Sequence, residues 1–423
     1  MRHPDRVTST REHRSVDTGV GAGVASNRWP AMAPPRPAPI RATAARALLA
    51  RVARRTGLTV TLPDGSHLGP SGGPVLAIRR PREFFTRLGR HGNIGFGEAF
   101  MAGDWDAPDL VAVLEPIARN VATLVPHRLQ RLRRFYDPRL PAVEDNNRHG
   151  ARRNIARHYD LSNELFAAFL DETMTYSSAL FADGFGEPLA DAQRRKIDRL
   201  LDLASVGAGT KLLEIGTGWG ELSIRAARRG AHVTTLTLSS EQAALAERRA
   251  KEADVADRID IRLQDYRDVD GKYDAIVSVE MIEAVGEKWW PTYFRTLDER
   301  LAPGGAVGLQ AILMPHDRML ASKSSWSWIN KYIFPGGIIM SERAIEDMLA
   351  KHTALHIADR LHFGSSYAET LRRWRETFVA AADRVDMLGF DETFRRMWTL
   401  YLAYSEAGFR AGYLDVGHFL LRR

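Results

Sequence analysis

Residues 212–221 read Leu-Leu-Glu-Ile-Gly-Thr-Gly-Trp-Gly-Glu: a short apolar strand runs into a Gly-x-Gly-x-Gly turn, and a helix-like segment, 222–229, follows. A turn of this kind lets a bulky ligand lie against bare backbone. A dinucleotide fingerprint needs glycine at the first, third and sixth positions of the turn. Here those positions are Gly216, Gly218 and Glu221. A carboxylate at the sixth position stands at the helix N-terminus, where a pyrophosphate would rest on backbone N–H groups, and the two anions would repel. The turn therefore suits a nucleoside ligand without phosphates, and S-adenosylmethionine is the candidate.

Around the turn the pattern alternates between strands and helices. A helix at 191–203 leads to strand 211–215. Strand 232–238, helix 241–253 and strands 259–263 and 273–279 follow, then helix 289–301 and strand 306–313. Helices of this length between strands imply an α/β fold with a parallel, doubly wound sheet. Ligands in such sheets sit beyond the C-terminal ends of the strands. Thr237-Leu238-Ser239, Gln264-Asp265-Tyr266, Glu280-Met281-Ile282-Glu283 and Gln310-Ala311-Ile312 lie at such ends, as does the glycine turn.

The formal charge of +7 is unevenly placed. Residues 1–55 hold eleven Arg, no Lys and three acids, a net +8, so the rest of the chain sums to −1. A basic extension can bind anionic lipid or nucleic acid, or remain solvated. With the remainder near neutral, nucleic-acid binding is not expected. Residues 1–40, rich in Pro, Arg and Ala, are expected to be disordered, and Met32 is an alternative start. Residues 41–56 read as an Arg-rich helix that either lies on a membrane surface or docks on the next unit.

Residues 41–125 read as a small α+β domain. Its expected elements are strands at 58–62 and 75–78, a helix from 81 to 88, a Gly-rich stretch from 89 to 97 and a helix at 109–124. Residues 126–150 read as a basic linker, and 151–423 as the ligand-binding domain, with an insert at 314–340. Cysteine is absent, which excludes disulfides, thiolate catalysis and Cys-ligated zinc; no metal ion is expected. No run of about 20 apolar residues suggests a membrane span, and no secretory core is evident near the N-terminus. A cytoplasmic protein, peripherally associated with membrane, is the expectation.

Several side chains can carry chemistry. Glu214 can fix the glycine loop or face a cationic cofactor. Asp265 can accept from an adenine amino group or cap a helix. Strand 232–238 ends in Thr237, Leu238 and Ser239 rather than in an acid, so hydroxyls and Gln242 would meet the ribose.

Five further stretches stand out: Asn154 to Asn163, Met174-Thr175-Tyr176-Ser177-Ser178, Gln264 to Asp268, Glu280 to Gly286 and Lys331 to Gly337. With Phe96 to Trp105 they resemble the cyclopropane-fatty-acyl-phospholipid synthases over roughly residues 60–423. The run Met174 to Phe181 is especially similar to the actinobacterial enzymes that make 10-methylene-stearoyl chains, precursors of tuberculostearic acid. The resemblance implies methyl transfer from S-adenosylmethionine to the double bond of an unsaturated phospholipid acyl chain. A carbocation forms and a proton leaves. The product is a cyclopropane, or an exomethylene if a hydride shift intervenes.

The resemblance also implies that Tyr159, Tyr176, Ser177, Gly216, Gly218, Gln242 and Asp265 contact the cofactor, with Glu214, Thr237, Leu238 and Gln264 beside them. The tyrosines can equally be core. A bicarbonate base is held in that family by a Cys, a Glu, a His, an Ile backbone and a Tyr. The matching positions here are Ser178, Glu283, Gln310, Ile312 and Tyr367. Two of the five types have changed; both replacements can still hydrogen-bond a bicarbonate, but Gln310 cannot carry a proton, and whether Glu283 orients the bicarbonate or removes the proton itself stays open. The aromatics of the insert (Trp326, Trp328, Tyr332, Phe334) would line an acyl channel or form a packed cap. A reductase partner and a homodimer stay open. So do two competing functions, methylation of a soluble small molecule and a non-catalytic lipid-binding role.

Overall fold

The computed structural model describes residues 28–124, 141, 145–148, 150–151, 154, 162–323 and 325–423. Helix α1, Pro39–Thr56, starts on a proline and stops at Gly57, whose φ of 77° ends the helix in the left-handed conformation. Ala45, Leu49 and Ala53 recur every four residues and are buried, so α1 docks on the unit that follows. That unit is a four-stranded sheet in the order β2-β1-β3-β4. Its strands are β1 Thr59–Thr61, β2 His67–Leu68, β3 Val75–Ile78 and β4 Trp105–Asp106. It is packed by α2, Pro81–Met101, and α3, Leu110–Leu124.

The Gly-rich stretch expected to end α2 near residue 88 is instead helical through Met101, with one kink at Gly92 (φ 55°, ψ −127°). Its glycines serve close approach. A Cβ on Gly89 would lie 2.4 Å from the Arg41 carbonyl oxygen, and one on Gly97 would lie 2.4 Å from Cδ1 of Trp328.

Residues 28–40, expected within a disordered tail, are held in place. The Arg87 guanidinium donates to the carbonyls of Ala31, Met32 and Ala33, and the Trp29 indole donates to Asp391. Residues 1–27 lie outside the described residues. Of the +8 in residues 1–55, seven Arg and no acids fall in 28–55, so the positive charge sits largely on an ordered segment.

The larger sheet has seven strands in the order β10-β11-β9-β8-β5-β6-β7. β5 Lys211–Ile215, β6 His232–Thr237, β7 Ile259–Leu263, β8 Tyr273–Val279 and β9 Leu301–Leu313 are mutually parallel. They match the strands expected from sequence. Helices α4 Leu189–Leu203, α5 Glu221–Arg228, α6 Ser240–Glu252 and α7 Trp290–Arg300 cover them.

The wholly parallel expectation needs correction. After α8, Glu342–His352, two further strands extend the sheet, β10 His356–His362 and β11 Asp415–Arg422, with α9 Gly364–Ala380 and α10 Glu392–Arg410 between them. β11 runs antiparallel to β9 and β10 antiparallel to β11. Only a long helical hairpin separates them, so β11 returns against the direction of β9. The chain leaves β5 for β6 and β7 on one side, then returns to β8 on the other. The switch point therefore falls between β5 and β8, where a crevice opens.

One apolar core joins the small unit to the C-terminal helices. Arg396 of α10 donates to the carbonyls of Phe100 and Trp105. Trp328 of the insert lies on Gly97 and donates to the Met101 sulfur. Lys331 and Tyr332 both bond Glu98, at 2.5 and 2.9 Å. No helix among the described residues is long and apolar enough to cross a membrane.

Gly97→Ala should push Trp328 off α2. Overpacking of this kind costs on the order of 1–3 kcal/mol, so a calorimetric scan should show a lower melting temperature and proteolysis should open the insert first. An unchanged melting temperature would remove this contact from the stability of the fold.

Candidate active site

The glycine turn follows β5 directly. Gly216 (φ 100°) and Gly218 (φ 52°) both sit in the region that favours glycine. They differ in surroundings. A Cβ on Gly216 would fall 2.6 Å from the Met281 side chain, whereas one on Gly218 would meet nothing within 4 Å. The turn is thus packed against the β8 loop on one side and open on the other, as a nucleoside lying on backbone requires.

Glu221, at the start of α5, pairs with Arg249 at 2.9 Å, and Arg249 also donates to the Trp219 carbonyl at 2.7 Å. Glu214 is buried. It accepts from the Ser223 hydroxyl and, at 2.7 Å, from Thr235, while Thr217 meets Thr235 at 2.8 Å. Burial pushes the Glu214 carboxyl up to about 7, against these hydroxyl bonds. These bonds tie β5 to α5 and β6 through side chains.

At the end of β6, the Thr237 hydroxyl donates to Gln242 Oε1 at 3.0 Å and accepts from the Ser239 N–H. Leu238 beside it is half-buried. At the end of β7, Gln264 donates to the Asp268 carbonyl. Asp265 is gripped by Arg267 through Nε at 2.8 Å and Nη2 at 2.6 Å. Burial opposes the Asp265 charge, but the Arg267 bonds win and hold its carboxyl below the usual value. Part of its accepting capacity is therefore already spent. Tyr176 bonds the Tyr401 hydroxyl at 2.7 Å, and its ring lies 5.1 Å from Phe166 and 5.2 Å from Trp374. Tyr159 lies outside the described residues.

Beside the glycine turn, the ends of β8 and β9 gather the remaining candidates around two carboxylates. Ile312 N–H donates to Glu283 Oε1 at 2.5 Å, and Glu283 Oε2 is enclosed without a hydrogen-bond partner. Burial, then the negative charge of Glu280, pushes the Glu283 carboxyl up to about 8.

Glu280 is the residue the sequence reasoning did not single out. Its Oε1 accepts from the Ser178 N–H at 2.9 Å and from Gln310 Nε2 at 2.8 Å, and its Oε2 accepts from the Tyr367 hydroxyl at 2.7 Å. Ser178 takes part through its backbone, since its hydroxyl turns to the Ala179 carbonyl. Gln310 is oriented by His418 of β11, whose Nε2 lies 2.9 Å from Gln310 Oε1. Burial keeps that histidine neutral, well below its ordinary value. Tyr367 is buried and raised well above its ordinary value by burial and by Glu280, so it stays a neutral donor. Behind them Lys196 of α4 is fully buried and donates to the Ser177 hydroxyl at 2.6 Å. Burial lowers it to about 8, with Glu280 and Asp171 pulling the other way.

Lys196 and His418 were also unmarked in the sequence. Lys196 sits on an amphipathic helix where lysine reads as solvated, and His418 on a strand that was not recognised. A pair of carboxylates three residues apart at a strand end was the available signal for Glu280.

Comparison with known proteins shows the family and the fold. The family model described as mycolic acid cyclopropane synthetase matches residues 146–419. The chain is 53% identical over 413 residues to tuberculostearic acid methyltransferase UfaA1 of Mycobacterium tuberculosis, covering 95% of this chain and 97% of that one. It is 34% identical over 338 residues to the cyclopropane-fatty-acyl-phospholipid synthase of Escherichia coli, covering 79% and 84%. Mycolic acid cyclopropane synthase CmaA1, solved with SAH and CTAB, superposes with a TM-score of 0.59 at 28% identity, covering 64% of this chain and 98% of that chain. The cyclopropane synthase MmaA2 from Mycobacterium tuberculosis gives 0.59 at 30%, with the same coverage. The fold is that of the class I S-adenosylmethionine-dependent methyltransferases.

The raised Glu283 carboxyl has a consequence for stability. Between its ordinary value of 4.5 and about 8 the folded chain keeps a proton that the unfolded chain has released. Stability contributed by this group is therefore present at low pH and lost as pH rises through that window. Glu283→Gln removes the term, so its melting temperature should gain on wild type as pH rises from 4.5 to about 8. A pH-independent difference would mean that Glu283 is ionised throughout.

Proposed function

The chain belongs to the mycolic acid cyclopropane synthetase family, and from that premise we propose that it methylates the double bond of an unsaturated acyl chain, with S-adenosylmethionine as donor. The observation that carries this reading is the glycine turn packed on Met281, the residue that follows Glu280 in a carboxylate pair held by Tyr367 and Gln310. When bound, S-adenosylmethionine supplies an electrophilic methyl group. Gly216, Gly218, Thr237, Leu238, Gln242, Gln264, Asp265, Tyr159 and Tyr176 are the residues we assign to holding it. The open face of Gly218 and the polar ends of β6 and β7 fit a nucleoside.

An alkene is a weak nucleophile, so the chain must hold it in line and keep water away. Tyr176, Trp374 and Tyr401, with Phe166 behind them, supply apolar walls whose ring faces favour positive charge, each on the order of 1 kcal/mol. The carboxylates at the ends of β8 and β9 supply groups able to take the proton that must leave. The 53% identity to a tuberculostearic acid methyltransferase favours a 10-methylene product over a cyclopropane. A reductase acting on that product is the partner such chemistry calls for.

The lipid surface is met, on this reading, by α1. Arg41, Leu48, Arg51 and Arg55 share its outward face and are exposed, and such a face suits anionic headgroups in the cytoplasmic leaflet.

Lipids from a host that expresses the chain and is fed methyl-labelled methionine and oleate should gain one labelled carbon by mass spectrometry. Fragmentation should place it as an exomethylene. Intact cofactor binding with no labelled lipid would favour a soluble substrate. Replacing Arg41, Arg51 and Arg55 with Gln should weaken cosedimentation with anionic vesicles at low salt and leave neutral vesicles unaffected. Equal binding by wild type and variant would detach α1 from the membrane.

A further inference from the structure

We propose that the Glu280 carboxylate is itself the base that takes the proton from the carbocation, filling the cradle in which related enzymes would hold bicarbonate. The inference rests on the acyl-methylating function above. Three observations support it.

The first is the donor set. Of the five positions matched to a bicarbonate cradle, Ser178 N–H, Gln310 Nε2 and the Tyr367 hydroxyl all donate to Glu280, at 2.9, 2.8 and 2.7 Å. The fourth, Ile312 N–H, donates to the fifth, Glu283. The cradle's donors are thus spent on carboxylates of the chain itself, and a free anion would have to displace one negative group beside another. The residues present do not fit bicarbonate.

The second is the backbone. Glu280 has φ 50°, in the left-handed region where a non-glycine residue is uncommon. Strain of this kind persists where the surroundings fix it, and it clusters at functional sites. Here it turns a carboxylate from the end of β8 onto the donors of β9, α9 and the 176–179 loop.

The third is the division of labour among neighbours. Tyr367 is a neutral donor, and His418 is fully buried behind Gln310. Glu283 is pushed toward its neutral form by burial and then by the charge of Glu280. Burial raises Glu280 as well, and Lys196 and the three donors offset that rise only in part, so its carboxyl stays above the ordinary value, as suits a group that takes up a proton. Glu280 is only partly buried, and its Oε2, which accepts one bond, keeps a further lone pair.

The step balances. The S–CH3 electron pair stays on sulfur, and the alkene π pair forms the new C–C bond, leaving a cation on the neighbouring carbon. A hydride shift moves that cation to the methylated carbon. Glu280 Oε2 then takes one proton from the added methyl group, whose C–H pair becomes the exomethylene π bond. The carboxyl is left neutral, and it returns the proton to water after product leaves.

The test uses the full chain, S-adenosylmethionine and vesicles of an oleoyl phospholipid, in buffer stripped of carbon dioxide and in the same buffer with bicarbonate added. Wild type should turn over equally in both. Glu280→Gln should lose about a hundredfold or more in kcat in both, with S-adenosylhomocysteine affinity by calorimetry unchanged, which separates lost chemistry from lost fold. Glu280→Gly suits the left-handed backbone and empties the cradle, so it should recover turnover only when bicarbonate or formate is added. Wild-type turnover that collapses without bicarbonate and returns with it would overturn the proposal, as would near-normal turnover in Glu280→Gln. Failure of wild type to methylate the lipid in either buffer would overturn the acyl-methylating function and this step with it.

Discussion

Two half-buried carboxylates three residues apart set the terms for everything packed around them. An unpaired buried charge is costly, and close carboxylates cannot both ionise freely. The fold answers with donors drawn from distant parts of the chain: Ser178 N–H from the 176–179 loop, Gln310 and Ile312 from β9, Tyr367 from α9. β11 earns its place in the same way. It pairs with β9 so that His418 stands opposite Gln310 and fixes which end of the amide faces Glu280. Lys196 adds a positive charge from beneath. A shift of β11 by one residue would turn His418 to the other face of the sheet and leave Gln310 unoriented.

The crevice must be dry, and that requirement explains the reach of the apolar core. Phe166, Phe169, Tyr176, Trp374 and Trp398 form one run of ring contacts at 4.9–6.2 Å centroid separation together with Trp219. Phe334 of the insert meets Tyr401 at 5.7 Å. The insert is anchored in turn by Trp328, Lys331 and Tyr332 on α2. The small N-terminal unit thereby supports the wall of a crevice it does not itself line with catalytic groups. Water reaching a carbocation would trap it as an alcohol, so this packing bears on the chemistry as well as on stability.

The parallel strands and the glycine turn were legible because short apolar runs are bounded by turn residues and separated by amphipathic helices. β11 was not. Val416 to Leu421 are buried on both faces, and a continuous apolar run carries no periodicity to separate strand from helix. β10 is almost entirely exposed and alternates too weakly to read. In α2 the glycines look like breakers, yet they mark where Arg41 and Trp328 approach, a tertiary fact. The site divides similarly. Ser178, Glu283, Gln310, Ile312 and Tyr367 were named from motifs, and the structure gathers them at one spot. The function of Glu280 depends on a φ angle and on donors far away in sequence, neither of which a motif displays. Asp265 reads as a free acceptor until Arg267, two residues on, is seen to grip it.

A base fixed to the backbone differs from a diffusible one in what it can control. Glu280 follows β8, and β8 pairs with β5 so that Ser278 stands opposite Ile215, one residue before the glycine turn. The methyl donor's seat and the proton acceptor are therefore set by a single strand register, and neither moves without the other. An acceptor held that rigidly removes a proton only when the cation lies within its reach. The product then depends on where the acyl chain places the charge during its brief lifetime: beside the methylated carbon, where ring closure follows, or on it, where an exomethylene follows. The replacement of a proton-carrying His by Gln310 points the same way. It leaves the carboxylates, Glu280 and Glu283, as the groups of this site that exchange protons.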